Sequence, residues 1–71
     1  MNFSLEGTEY IELIGLLKAL GIAETGGHAK QMVDDGIVKL NGETESRKRA
    51  KLRIGDVVEV EGVAEKIKVT K

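Results

Sequence analysis

Leu13, Leu16, Leu17 and Leu20 recur at helical spacing and are followed at once by Gly21. An apolar stripe of this period must lie on one face of a helix and must be covered by something else. Tyr10 and Ile14 flank the stripe, Thr8 offers a cap oxygen, Glu9 suits the positive end of a helix, and Gly21 suits its exit. The pattern therefore predicts a first helix over about Glu9 to Leu20. The run is interrupted by Glu12, Gly15 and Lys18, so it cannot supply the roughly 20 apolar residues that a bilayer span requires. A chain of 71 residues has room for one core, and residues 1–71 are read as a single domain.

What covers the stripe follows in order. Thr25 is a plausible N-cap for a second helix over about Gly26 to Asp35, with Ala29, Met32 and Val33 on one face and Gly36 at the end. Two glycines in a first turn are unusual, because glycine costs up to ~1 kcal/mol against alanine inside a helix. Either the turn frays or packs tightly against helix one, or bare N–H groups leave room for a phosphate. Ile37, Val38 and Leu40 then read as a strand, and Asn41-Gly42 as a type I′ hairpin turn. Glu43 to Glu45 is the short return. Gly55-Asp56 turns the chain into a strand over Val57 to Val60, and Ile67 and Val69 mark a last strand. Phe3 and Leu5 suggest a short edge strand near the start. Two helices followed by short strands make an α+β fold, with the helices packed on a small, mainly antiparallel sheet. The leucine stripe is expected to meet Ala29, Met32, Val33, Val38, Leu40, Val58 and Val60.

The charge distribution is uneven. The formal net charge is −1, yet residues 1–46 carry a net −5 and residues 47–71 a net +4. Five of the seven residues from Arg47 to Arg53 are basic. If this segment is extended, Arg47, Arg49, Lys51 and Arg53 share one side, while Lys48, Ala50, Leu52 and Ile54 take the other. Leu52 and Ile54 can then anchor in the core beneath a row of cations. Such a row either meets backbone phosphates or is neutralised by Glu43, Glu45, Asp56 and Glu59. Phe3 and Tyr10 are the only aromatics and are expected to be committed to packing. Without stacking platforms, shape and phosphate geometry should dominate, which favours folded RNA over single strands.

The ordered set of signals in "LIGLLKALGIAETGGHAKQMVDDGIVKLNGETESRKRAKLRIGDVVEV" resembles the RNA-binding domain named after ribosomal small-subunit protein S-four. The matching positions are Gly21, Thr25, Ala29, Gly36, Val38, Leu40, Asn41, Gly42 and Gly55-Asp56, and the resemblance covers about residues 12–61. "TGGHAK" and "NGETESRKRAKL" are similar to the small stand-alone bacterial members. The resemblance implies an alpha-L motif, in which the second helix and the basic loop face structured RNA of the ribosomal or transfer class. It points to Thr25, Gly26, Gly27, His28 and Lys30, together with Arg47, Lys48, Arg49, Lys51 and Arg53. Many family members place Arg directly after the Ser or Thr that opens helix two, where this chain has Gly26. The turn from Thr25 to Lys30 and the basic segment are expected to line one continuous surface, with acids of the first half mostly on other faces.

Competing readings are weaker. His28 is a lone histidine, no cysteine exists to serve as nucleophile or ligand, and "GGHAK" lacks Walker spacing. No catalytic residue, metal site or cofactor is expected. No secretion signal is visible at the start, and absence of cysteine fits a reducing compartment, so a monomer in the cytoplasm is the expectation. The main alternative is a protein-interaction module whose basic row docks an acidic protein partner.

Overall fold

The computed structural model describes residues 1–71. Its elements run β1 (Asn2–Ser4), β2 (Ile11–Glu12), α1 (Leu13–Ala19), α2 (Gly26–Asp34), β3 (Val38–Leu40), β4 (Glu43–Thr44), β5 (Lys51–Leu52), β6 (Val57–Val60) and β7 (Ile67–Thr70). Five strands form one sheet in the order β1-β7-β6-β3-β4, and β2 and β5 form a separate two-stranded ribbon. All pairings are antiparallel except β1 with β7, which aligns Phe3 with Val69 in parallel.

The stripe is buried where the periodicity required it. Leu13, Leu16 and Leu17 have no exposed surface and pack with Ala29, Met32 and Val33 of α2 and Val38, Val58 and Val60 of the sheet. Leu20 and Leu40 sit half-buried at the margin of this core. Leu5, Ala23, Ala50, Leu52, Ile67 and Val69 complete it. The hairpin also forms as its sequence demanded: Asn41 and Gly42 both have positive φ, 52° and 87°.

Helix one begins later than its local signals suggested. Thr8 does not cap it; its hydroxyl donates instead to the Leu5 carbonyl at 2.8 Å. The N-cap position is Glu12, with no side-chain cap bond. Residues 11–12 are extended because they pair with β5, with Ile11 opposite Leu52 and Glu12 opposite Lys51. The first two helical N–H groups, Leu13 and Ile14, donate to the carbonyls of Ala50 and Lys48 at 2.9 and 3.2 Å. A distant segment thus satisfies the orphan donors that a capping side chain normally takes. That segment is the basic one.

Candidate functional site

The basic segment is held from three sides. Its backbone caps α1, as described. Ala50 and Leu52 are buried, at 4% and 0% exposure. At its far end, Asp56 accepts from the Arg53 N–H at 2.8 Å and from the Asn41 side-chain amide at 3.1 Å, while Asn41 accepts from the Val57 N–H. The hairpin turn and the Gly55-Asp56 turn therefore lock together and fix where the segment ends.

The segment is not a straight row. The Ala50 N–H donates back to the Arg47 carbonyl, so residues 47–50 form a turn and only Lys51–Leu52 is strand. Arg47, Arg49, Lys51 and Arg53 are all exposed, but the turn separates the first two from the last two. Ile54 does not anchor. It is 63% exposed, because the chain has already entered the Gly55-Asp56 turn, whereas Leu52 lies opposite Ile11 over the core.

The cations differ sharply in how free they are. Arg47 grips Glu45 through two guanidinium nitrogens, Nε and Nη2, at 3.1 and 3.0 Å, and its backbone N–H donates to the same carboxylate at 2.9 Å. These bonds hold the Glu45 carboxyl below the usual carboxylate range and raise the Arg47 guanidinium above its own. Lys48 reaches Asp34 at 3.2 Å, with both side chains partly exposed. An exposed pair of this kind contributes about 0–1 kcal/mol, so a phosphate can compete for Lys48. Arg49, Lys51 and Arg53 form no salt bridge. Of the four acids that could have neutralised the segment, only Glu45 touches one of its cations. Glu59 pairs with Lys66, Asp56 is bonded to backbone and to Asn41, and Glu43 forms no salt bridge.

Helix two opens on a tight local network. Thr25 is the N-cap and accepts from the His28 N–H at 3.0 Å. His28 Nδ1 in turn accepts from the Glu24 N–H at 3.1 Å, much as the third residue of a capping box reaches back. The N–H groups of Gly26 and Gly27 remain unbonded at the positive end of the helix. Steric crowding does not explain these glycines. A Cβ on Gly26 would come no closer than 3.9 Å to Lys18 Cδ, and one on Gly27 no closer than 3.8 Å to Thr25 Oγ1. Tight packing of the glycines on helix one is thereby excluded.

The structure corrects the expected meeting of the two arms. Lys48 contacts Asp34 at the C-terminal end of α2, and nine helical residues at 1.5 Å each put that end about 12 Å from the first turn. The segment therefore meets α2 at its C-terminal end rather than at Thr25–Gly27, and Lys30, four residues before Asp34 on the same helix face, lies between the two. Of the eight acids of the first half, Asp34 and Glu45 lie against the segment, and the other six form no salt bridge with its cations. What reaches the first turn of α2 is Lys18 from the end of α1, an exposed cation in no salt bridge. Sequence reasoning missed Lys18, which reads locally as a routine cation at a helix C-terminus. It also missed Tyr10, which is 37% exposed rather than packed away, with the Lys51 ammonium 4.9 Å and the Arg53 guanidinium 5.7 Å from its ring centroid.

The S4 domain model matches residues 3–70, nearly the whole chain. The chain belongs to the S4 domain family. Among its relatives is the Escherichia coli K12 protein named "Putative RNA-binding protein YbcJ", 42% identical over 61 residues, 86% of this chain and 87% of that one. Another is the Bacillus subtilis "Probable ribosome maturation protein RlbA", 42% identical over 55 residues, 78% of each chain. The solution structure of E. coli YbcJ, described as revealing an alpha-L motif involved in RNA binding, superposes with a TM-score of 0.73 at 37% identity. That match covers 99% of this chain and 86% of YbcJ. The helix pair and sheet are thus those of the alpha-L motif. Lys18 is the cation whose side chain passes beside Gly26, the residue that follows the N-cap Thr25.

Proposed function

We propose that this chain is a non-catalytic module that binds structured RNA of the ribosomal or transfer class, chiefly through phosphates. The observation that carries the reading is the state of the basic segment. Arg49, Lys51 and Arg53 are un-neutralised, yet their backbone is pinned by α1, the core and Asn41. A pinned array of free cations loses little freedom when it meets phosphates, and Arg can hold one bidentately. At the other end of the helix pair, Lys18 and the N–H groups of Gly26 and Gly27 offer a second contact, with Lys30 midway between. Two contacts separated by the length of α2 favour a folded RNA over a flexible strand. The names of YbcJ and RlbA support RNA, and the latter supports a ribosomal target.

His28 fits this role better than catalysis, since its Nδ1 already accepts the Glu24 N–H and holds the turn together. The test is competition. A labelled ribosomal RNA hairpin bound by the wild type should be displaced by unlabelled folded RNA and not by polyglutamate, and Arg49→Glu should bind it at least tenfold more weakly with an unchanged circular dichroism spectrum. Displacement by polyglutamate at equal charge would favour an acidic protein partner instead.

A further inference from the structure

Tyr10 lies on the outer face of the β2–β5 ribbon with two cations near its ring. The register sets Ile11 opposite Leu52 and Glu12 opposite Lys51, so Tyr10 falls across from Arg53 one step further on. Alternation turns Ile11 and Leu52 inward and leaves Tyr10, Lys51 and Arg53 outside. Both cations approach the ring, and neither has a carboxylate partner, although Glu12 is the cross-strand neighbour of Lys51. Tyr10 also walls an open groove of about 520 Å³ beside the two cations, lined with Asn2, Phe3, Glu6 and Ile11, and the Asn2 amide makes no hydrogen bond there.

We propose that Tyr10, Lys51 and Arg53 form a nucleotide subsite in which the ring stacks an unpaired RNA base and the two cations take its flanking phosphates. This inference rests on the RNA-binding reading and deepens it. A phosphate alone, or an acidic side chain, would use the cations and gain nothing from the ring. A base presents a π-face that stacks on an aromatic irrespective of sequence. The cation–π contacts are weak at an exposed site, so they aim Lys51 and Arg53 without locking them away from a phosphate. The free Asn2 amide can pair with a base edge at the groove rim. The RNA recognised would then be a folded element carrying an unpaired nucleotide next to its paired stem.

The chain has one Tyr and no Trp, so its tyrosine emission reports Tyr10 alone. Hexaadenylate should quench that emission, whereas inorganic polyphosphate at equal charge should not. Tyr10→Leu should weaken hexaadenylate binding roughly 5- to 150-fold, the usual range for losing one base–aromatic stack. Tyr10→Phe should keep most of the affinity and bind a fully paired RNA hairpin within about twofold of wild type, and Tyr10→Leu should lose several-fold more affinity for hexaadenylate than for that hairpin. Equal quenching by polyphosphate, or Tyr10→Leu binding hexaadenylate as tightly as wild type, overturns the subsite. A wild type that binds the paired hairpin through Arg49 with Tyr10 silent to hexaadenylate overturns the subsite and leaves the RNA reading in place. A wild type that binds neither RNA overturns both.

Discussion

Leu52→Ala and Ile54→Ala form a paired test of how the basic segment is anchored. Simple alternation along an extended segment puts both side chains in the core. The structure buries Leu52 completely and leaves Ile54 63% exposed. Truncating a fully buried leucine costs about 2–5 kcal/mol, the transfer of the lost methyl groups plus the cavity left behind. At roughly 0.05–0.15 kcal/mol per residue, a domain of this length holds only about 4–11 kcal/mol in total. Each kcal/mol moves the melting temperature of so small a domain by roughly 4–8 °C. Leu52→Ala should therefore melt roughly 8–40 °C lower, and Ile54→Ala should fall within about 0.5 kcal/mol of wild type, as surface changes do. Thermal melts followed by far-ultraviolet circular dichroism read both. Because Leu52 sits between Lys51 and Arg53, its variant should also bind RNA more weakly at temperatures where it remains folded. Equal destabilisation by the two substitutions would refute the anchoring described, and a Leu52→Ala melt like wild type would remove it altogether.

Other expectations concern charge and the helix ends. The Glu45 carboxyl is held low by Arg47, so the pair's contribution is complete above the ordinary carboxylate value of about 4.3 and is lost as pH falls through the lowered one. RNA affinity measured from pH 6 to 8 should thus show no step from this pair. Glu45→Gln should release Arg47 at neutral pH and tighten RNA binding, which fluorescence anisotropy would detect. Gly26→Ala should leave stability unchanged or raise it by up to ~1 kcal/mol, since the site has room and alanine is the better helix former. Gly27→Glu and Lys18→Glu should each weaken RNA binding severalfold without unfolding the chain. Thr25→Ala should cost about 0.5–2 kcal/mol of stability in a denaturant titration, because it removes the N-cap acceptor of the His28 N–H.

Much of the fold was legible because its signals are local. The leucine spacing located α1, positive φ at Asn41 and Gly42 made the hairpin, and Val57 to Val60 alternates as a half-buried strand should. The errors arose where distant residues decide local structure. Thr8 and Glu9 look like a helix start, but pairing of Ile11–Glu12 with Lys51–Leu52 moved the start to Leu13 and supplied the cap from Ala50 and Lys48. The same pairing put Tyr10 at the surface, and no local signal could have said so. The row of cations followed the period-two pattern only from Lys51, because the turn at residues 47–50 depends on Ala50 packing under α1. Which cations are free was also illegible. Arg47 has an acid two residues away, but Lys48 meets Asp34 only because α1 and α2 lie side by side.

The central claim is that RNA phosphates meet the unpaired cations of the helix pair and the basic segment. Lys18, Lys30, Arg49, Lys51 and Arg53 form no salt bridge. If all five meet phosphates, the logarithm of affinity for a folded ribosomal RNA fragment should fall against the logarithm of salt with a slope of about −3.5 to −4.5, at 0.7–0.9 per contact. That is a loss of roughly 100- to 500-fold between 50 and 200 mM salt. Arg49→Ala should flatten the slope by about one contact, and Arg47→Ala, whose partner is Glu45, should barely change it. An affinity indifferent to salt, or a slope that Arg49→Ala leaves untouched, would contradict the account.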